Sequence, residues 1–152
     1  MGALKFYILK VEPKKNMIFD PQQSIDLQGQ TGPYIQNAHV KTQSVQRMFE
    51  EKELKTQTFD RYQLNETEKD ILVLIHDLPI LIKKAAEQYD PSNIANYIYD
   101  LAKEFHRFWS STTILDLDDM AATTFRLYLS KAVAKALKLS GGLIGMDMPD
   151  RM

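Results

Sequence analysis

The chain has 152 residues, of which 44% are hydrophobic; 19 basic and 20 acidic side chains leave a formal net charge of −1, and there is no cysteine. That is enough apolar material for one domain with a real core and too much for a disordered chain. Disulfides, thiolate nucleophiles and cysteine-held metals are excluded, the near-zero charge argues against a protein that coats phosphate over its whole surface, and no run reaches the roughly 18 apolar residues of a membrane span.

The opening MGALKFYILKVEPKK is too short in its apolar run, and wrongly flanked, for a secretory signal. Within it, ALKFYILKV at residues 3–11 predicts a short helix that is apolar on most sides and ends before Pro13. The stretches MIF and IDL then flank Asp20-Pro21, a turn signal, and predict an irregular or hairpin-like excursion. Gly29 and Gly32 loosen the chain before the first long helix, for which Thr31 is the N-cap and Pro33 a first-turn residue. That helix reaches about residue 52, and the polar residues 53–64 read as a loop.

Asn65-Glu66-Thr67-Glu68 is a capping box, followed by a helical apolar face of Ile71, Leu72, Leu74, Ile75 and Leu78. Pro79 is expected to break or kink this run, with a second piece over residues 79–89. Asp90-Pro91-Ser92 starts another helix, with Ile94, Ile98, Leu101, Ala102, Phe105 and Phe108 or Trp109 at helical spacing and a break at residues 110–115. The last helix is predicted over residues 116–139, acidic at its start, basic at its end, and stopped by Gly141-Gly142. The sum is an all-α antiparallel bundle of four or five helices, preceded by the short helix and the hairpin-like excursion.

Catalytic constellations do not emerge. No Gly-rich loop follows a strand, since Gly141-Gly142 follows a helix. His39, His76 and His106 fall on three predicted helices without paired ligand spacing, and read as surface or boundary histidines rather than a metal site. Asp116, Asp118 and Asp119 suit a helix N-terminus better than a cation site. A small free-standing enzyme is therefore the weakest reading. Two others stay open on the residues: an RNA-binding domain, and a protein–protein module whose aromatics are interface anchors. Trp109 is a core filler in one and a base-stacking ring in the other. Lys131, Lys135 and Lys138, at i, i+4 and i+7, are either a solvated face or a row that meets RNA phosphates.

The most distinctive stretch is GQTGPYIQNAHVK at residues 29–41. It resembles the start of the anticodon-binding domain of arginyl-tRNA synthetases, which carry a Gly-Asn-Thr-Gly-Pro-Tyr-Ile-Gln-Tyr-Ala-His-Ala-Arg type of sequence there. GALKFYILKVEPKKNMIFDPQQSIDLQG resembles the stretch leading out of that family's catalytic domain, and IANYIYDLAKEFHRFW its central helix. TFRLYLSKAVAKAL resembles the helix with the Ala-Leu-Arg signature, Arg126 standing at the Arg, and LIGMDMPDRM the C-terminal ending. The resemblance runs over almost the whole chain, in order. The family's ATP-handling signatures, His-Ile-Gly-His and a Lys-Met-Ser-Lys-Ser-like loop, do not occur in it.

The resemblance implies the C-terminal part of an arginine–tRNA ligase: residues 1–30 trailing from the catalytic domain or a connector, and residues 31–152 as the helical anticodon-binding domain. It implies that an anticodon loop unstacks against Tyr34, Asn37, Lys41, Trp109 and Met152; the row of Lys131, Lys135 and Lys138, read from its spacing, would then be a weaker contact to the tRNA backbone. Two positions depart from the family pattern: Asn37 replaces a ring with an amide, and Lys41 replaces a bidentate guanidinium with a point charge. The implied partners are a tRNA for arginine and the catalytic domain of the same polypeptide. ATP and magnesium would be bound by that catalytic domain and no cofactor or metal by this part, which would not be catalytic alone. The parent is expected to be cytoplasmic and monomeric, with no membrane association.

Overall fold

Side-chain caps written in the sequence start four of the helices, and the computed structural model, which describes residues 2–152, contains six helices and no strand among those residues. Helix α1 spans Gly2–Leu9, α2 Pro21–Ser24, α3 Gly32–Glu51, α4 Glu66–Gln88, α5 Ser92–Ser111 and α6 Met120–Leu143. Thr31 Oγ1 accepts from the Tyr34 N–H to open α3. Asn65 Oδ1 accepts from the Glu68 N–H while the Glu68 carboxylate accepts from the Asn65 N–H, so the predicted capping box opens α4. Before α5, the Asp90 carboxylate accepts from both the N–H and the hydroxyl of Ser92.

The four long helices bury one continuous core, including Ile35, Val45, Ile71, Ile98, Leu101, Phe105, Phe108, Leu127, Val133 and Leu137. Helix α3 packs on α5 and α6, and α4 packs on the same two from its own side. Helix α1 buries Phe6 and Tyr7 but leaves Leu4 and Ile8 exposed. It crosses the start of α3 so closely that a Cβ on Gly32 would lie 2.8 Å from the Ala3 Cα. The glycine of the Thr-Gly-Pro run is therefore a packing requirement.

Of the irregular or hairpin-like excursion expected before α3, the irregular form is found: Asp20 Oδ1 accepts from the N–H groups of Gln22 and Gln23 and winds one helical turn, α2. Two sequence expectations need correction. Pro79 does not divide α4. Pro79 itself is exposed, while Ile71, Leu78 and Ala85 at i, i+7 and i+14 hold both halves on the bundle. Helix α6 is displaced at both ends. Asp119 is its cap, and residues 112–119 close onto its first turn through paired Asp116–Thr123 hydrogen bonds. At the other end Gly141 and Gly142 lie inside the helix, and the left-handed residue that turns the chain is Gly145, at φ 69°. Gly141 is needed where it is, because a Cβ there would lie 2.6 Å from Met148 Cε and 2.9 Å from the Met146 carbonyl oxygen.

Arg126, the signature arginine, is a structural clamp. Its Nε donates to Glu68 Oε1 at 3.0 Å, Nη1 to the Thr113 carbonyl at 2.7 Å and Nη2 to the Tyr62 hydroxyl at 3.0 Å. The Tyr62 hydroxyl donates in turn to the Glu68 carboxylate at 2.8 Å. Burial, and then the Glu68 carboxylate, pushes the Tyr62 hydroxyl above its ordinary pKa. One guanidinium thus joins α6 to the cap of α4 and to the loops on either side.

Candidate nucleic-acid interface

Helix α3 carries two rows of side chains, set by a period of about 100° per residue. Tyr34, Lys41 and Met48 recur at i, i+7 and i+14 on the side facing α5. Gln36, His39 and Arg47 lie round the other side.

The first row makes a cluster with α5. The Tyr34 ring lies 4.4 Å from the His106 ring and 5.7 Å from that of Tyr99, centroid to centroid. His106 Nε2 donates to the Tyr34 carbonyl at 3.1 Å, and Lys41 Nζ donates to His106 Nδ1 at 3.1 Å. A carbonyl cannot donate and an ammonium cannot accept, so the imidazole is neutral, with its proton on Nε2. Burial holds His106 below the usual histidine range; the Tyr34 carbonyl bond opposes this and the Lys41 charge reinforces it. Burial also lowers the Lys41 ammonium, and it raises the Tyr34 hydroxyl together with Tyr99 and Glu104. The Lys41 ammonium stands 5.5 Å from the Trp109 ring centroid.

Beyond this cluster Met48, Lys52, Trp109 and Leu115 line an open pocket. Two half-buried rings that pack on the core, a cation beside them and free space beside the tryptophan make a surface able to stack planar groups and hold an anion.

The second row holds the C-terminal segment. Gln36 Nε2 donates to the Asp147 carbonyl at 2.8 Å, His39 Nδ1 to the Pro149 carbonyl at 2.9 Å and Arg47 Nη1 to the Asp150 carbonyl at 3.1 Å. Residues 145–152 therefore run back along α3 as a strap, towards its C-terminal half. Asn37 lies between the two rows, half-buried, in line with Val40 and Ser44.

The predicted residues thus separate. Tyr34, Lys41 and Trp109 are brought together, Asn37 shares α3 with Tyr34 and Lys41, and Met152 ends the strap with 64% of its surface exposed. Lys131, Lys135 and Lys138 line a different groove, where α6 faces His39, Gln43 and Gln46 of α3, with Lys131 Nζ 5.7 Å from the Tyr128 ring centroid. His39, expected at a surface or boundary, is fully buried. His106 and Tyr99 were missing from the site read in the sequence. Their signal was an α5 row, Tyr99, His106 and Trp109 at i, i+7 and i+10. No three His, Asp or Glu side chains converge as metal ligands among the described residues.

Fold and face together define the class: a helical bundle with an aromatic and cationic cluster on one long helix and that helix's neighbour. The chain belongs to the DALR anticodon binding domain family, whose model matches residues 35–152. It is 43% identical over 154 residues to an arginine–tRNA ligase of Bacteroides thetaiotaomicron, a match covering 100% of this chain and 26% of that protein. An arginine–tRNA ligase of Flavobacterium psychrophilum is 41% identical over 157 residues, covering 100% of this chain and 25% of that protein. The solved arginyl-tRNA synthetase of Thermus thermophilus superposes with a TM-score of 0.89 at 28% identity, covering 99% of this chain and 26% of that one. The chain spans about a quarter of the length of the relatives it matches. Among the described residues, no helix is long and apolar enough to cross a membrane.

Proposed function

We propose that this chain is the part of an arginine–tRNA ligase that recognises the tRNA anticodon. The observation that carries the reading is the cluster of Tyr34, His106, Lys41 and Trp109, in a domain of the DALR anticodon binding family. Bases splayed from an anticodon loop would stack on the Tyr34 and Trp109 rings, which tolerate any base. Asn37 would supply edge hydrogen bonds that discriminate between bases, and Lys41 a charge for phosphate or a base acceptor. Met152 would close the loop side, and Lys131, Lys135 and Lys138 would meet the backbone of the anticodon stem.

The reaction belongs to the remainder of the ligase, which would bind ATP, magnesium and arginine; this part supplies no catalytic group. Residues 1–30 would connect the two, and the exposed Leu4, Ile8, Ile18, Phe19, Ile25 and Leu27 suit contact with that remainder. A cytoplasmic, monomeric parent fits this role.

The test is binding and arginylation of an arginine tRNA transcript by the full-length protein. Tyr34→Ala and Trp109→Ala should each weaken binding by roughly 1–3 kcal/mol. Asn37→Ala should cost discrimination against anticodon-substituted transcripts more than affinity. Unchanged kcat/KM for tRNA with lowered thermal stability would make both rings core residues and overturn the reading.

A further inference from the structure

The stacking cluster uses Tyr34 and Lys41 of the GQTGPYIQNAHVK stretch and leaves its Gln36 and His39 without a role. Both point at the C-terminal segment, and at backbone rather than side chains: Gln36 donates to the Asp147 carbonyl and His39 to the Pro149 carbonyl. A backbone acceptor is present whatever residue stands there, so such bonds fix the register of a segment and not its composition. His39 is fully buried, and its Nδ1 must carry the proton because a carbonyl only accepts. Its Nε2 then takes a longer bond, 3.5 Å, from the Gln43 amide, which keeps the ring in that tautomer. Met146 and Met148 are buried at the near end of the same segment, with Met148 seated on Gly141. The strap is therefore anchored by apolar burial at one end and by hydrogen bonds along α3. It borders the Asn37–Val40–Ser44 strip on the side opposite Tyr34 and Lys41.

We infer that residues 145–152 form the second wall of the anticodon face and that His39, with Gln36, is a positioning residue that sets their register on α3. The inference rests on the anticodon reading above. His39 touches no RNA; it acts through the strap, fixing where Asp150 and Met152 stand beside the strip that holds Asn37.

The experiment uses the full-length protein, an arginine tRNA transcript and methyl-labelled methionine. His39→Leu removes the donor, His39→Asn keeps one at the Nδ1 position, and a third form lacks residues 149–152. Strap position is read from the Met148 and Met152 methyl resonances, and recognition from KM for the transcript. His39→Leu should move both methyls towards random-coil shifts, leave the Met48 methyl in place and raise KM roughly tenfold, the scale of losing one hydrogen bond. His39→Asn should restore both readouts. In the form lacking residues 149–152, His39→Leu should raise KM no further.

Where His39→Leu fails to fold, Gln36→Leu combined with Arg47→Met breaks the two exposed strap bonds without touching the core, and must give the same pattern. A strap released with KM unchanged overturns the inference, as does a full additional loss from His39→Leu in the shortened form. Trp109→Ala in the same assay separates the two failures: if it raises KM while strap release does not, only the strap inference falls, and if it too leaves KM unchanged, the anticodon reading falls with it.

Discussion

Two clusters in this molecule are built from the same parts, a cation beside aromatic rings, and differ in how far their hydrogen-bonding capacity is used up. Around Arg126, three guanidinium nitrogens have protein acceptors, the Glu68 carboxylate is completely buried, and the ion-paired arginine side chain is only 14% exposed. Around Lys41, one ammonium donates to one imidazole nitrogen, so donor capacity remains, and the rings beside it are half-exposed. In the first, saturated cluster every guanidinium nitrogen is already engaged inside the protein, whereas the second, open cluster keeps donor capacity near the surface. The signature arginine therefore belongs to the architecture, and the cluster on α3 and α5 is the one that the proposed reading assigns to the anticodon.

The largest expected effect breaks the saturated cluster. Arg126→Met strands the Glu68 carboxylate in the core and should destabilise the domain by about 3–5 kcal/mol, read from denaturant unfolding. Lys41→Met is the matched change in the open cluster. It keeps the length of the side chain and should alter stability by less than about 1 kcal/mol. It should weaken binding of an arginine tRNA transcript by about 1.5–3 kcal/mol, the scale of a hydrogen bond to a charged group. If Lys41→Met unfolds the domain as severely as Arg126→Met, the two clusters do not differ in kind.

How much of this was legible in the sequence depends on the range of the interaction. Thr31, the Asn65–Glu68 box and the periodic core are local signals, and each produced the element it predicts. The extra helical turn over residues 140–143 was not legible, because Gly141 looks like a stop until the strap that packs on it is present. Pro79 looks like a break until Ile71, Leu78 and Ala85 are seen to clamp both sides of it. In the candidate site, Tyr34 and Lys41 share a helix, and Trp109 was placed beside them by family resemblance alone. His106 escaped because its role depends on two atoms of another helix, the Tyr34 carbonyl and Lys41 Nζ; its spacing sets it in a row with Tyr99 and Trp109 but does not name those partners. His39 escaped for the same reason, its partner lying 110 residues away along the chain.

Lys131, Lys135 and Lys138 sharpen the comparison from a third position, since they lie outside both clusters and line the α3–α6 groove. If they meet stem phosphates, changing each to Gln should weaken all tRNAs alike and reduce the slope of log K against log salt by about 1 for every phosphate no longer neutralised. Stability should stay within about 0.5 kcal/mol for Lys135 and Lys138, which are exposed, and fall somewhat further for Lys131, which is half-buried beside the Tyr128 ring. A change in tRNA choice at constant slope would assign the groove to base reading and contradict the backbone role.

The smallest expected effect is a titration within the open cluster. His106 is held below the ordinary histidine range by burial, with the Lys41 charge adding to it. A folded-state pKa below the unfolded value of about 6.5 means that the unfolded chain takes up its proton first as pH falls. The stabilisation from neutral His106 is then complete above that value, and it is lost as pH falls through it towards the lowered folded pKa. Protonation would also place a second proton on Nδ1, facing Lys41 Nζ at 3.1 Å, and push the ammonium away from the Trp109 ring. The chain has one tryptophan, so its fluorescence reports this movement directly. The emission should shift with a midpoint below the ordinary histidine value of about 6.5. In His106→Gln, which keeps a donor for the Tyr34 carbonyl but cannot titrate, the shift should vanish. A midpoint at or above the ordinary value, or a shift that survives the substitution, would show that the Lys41–His106 contact does not control the environment of Trp109.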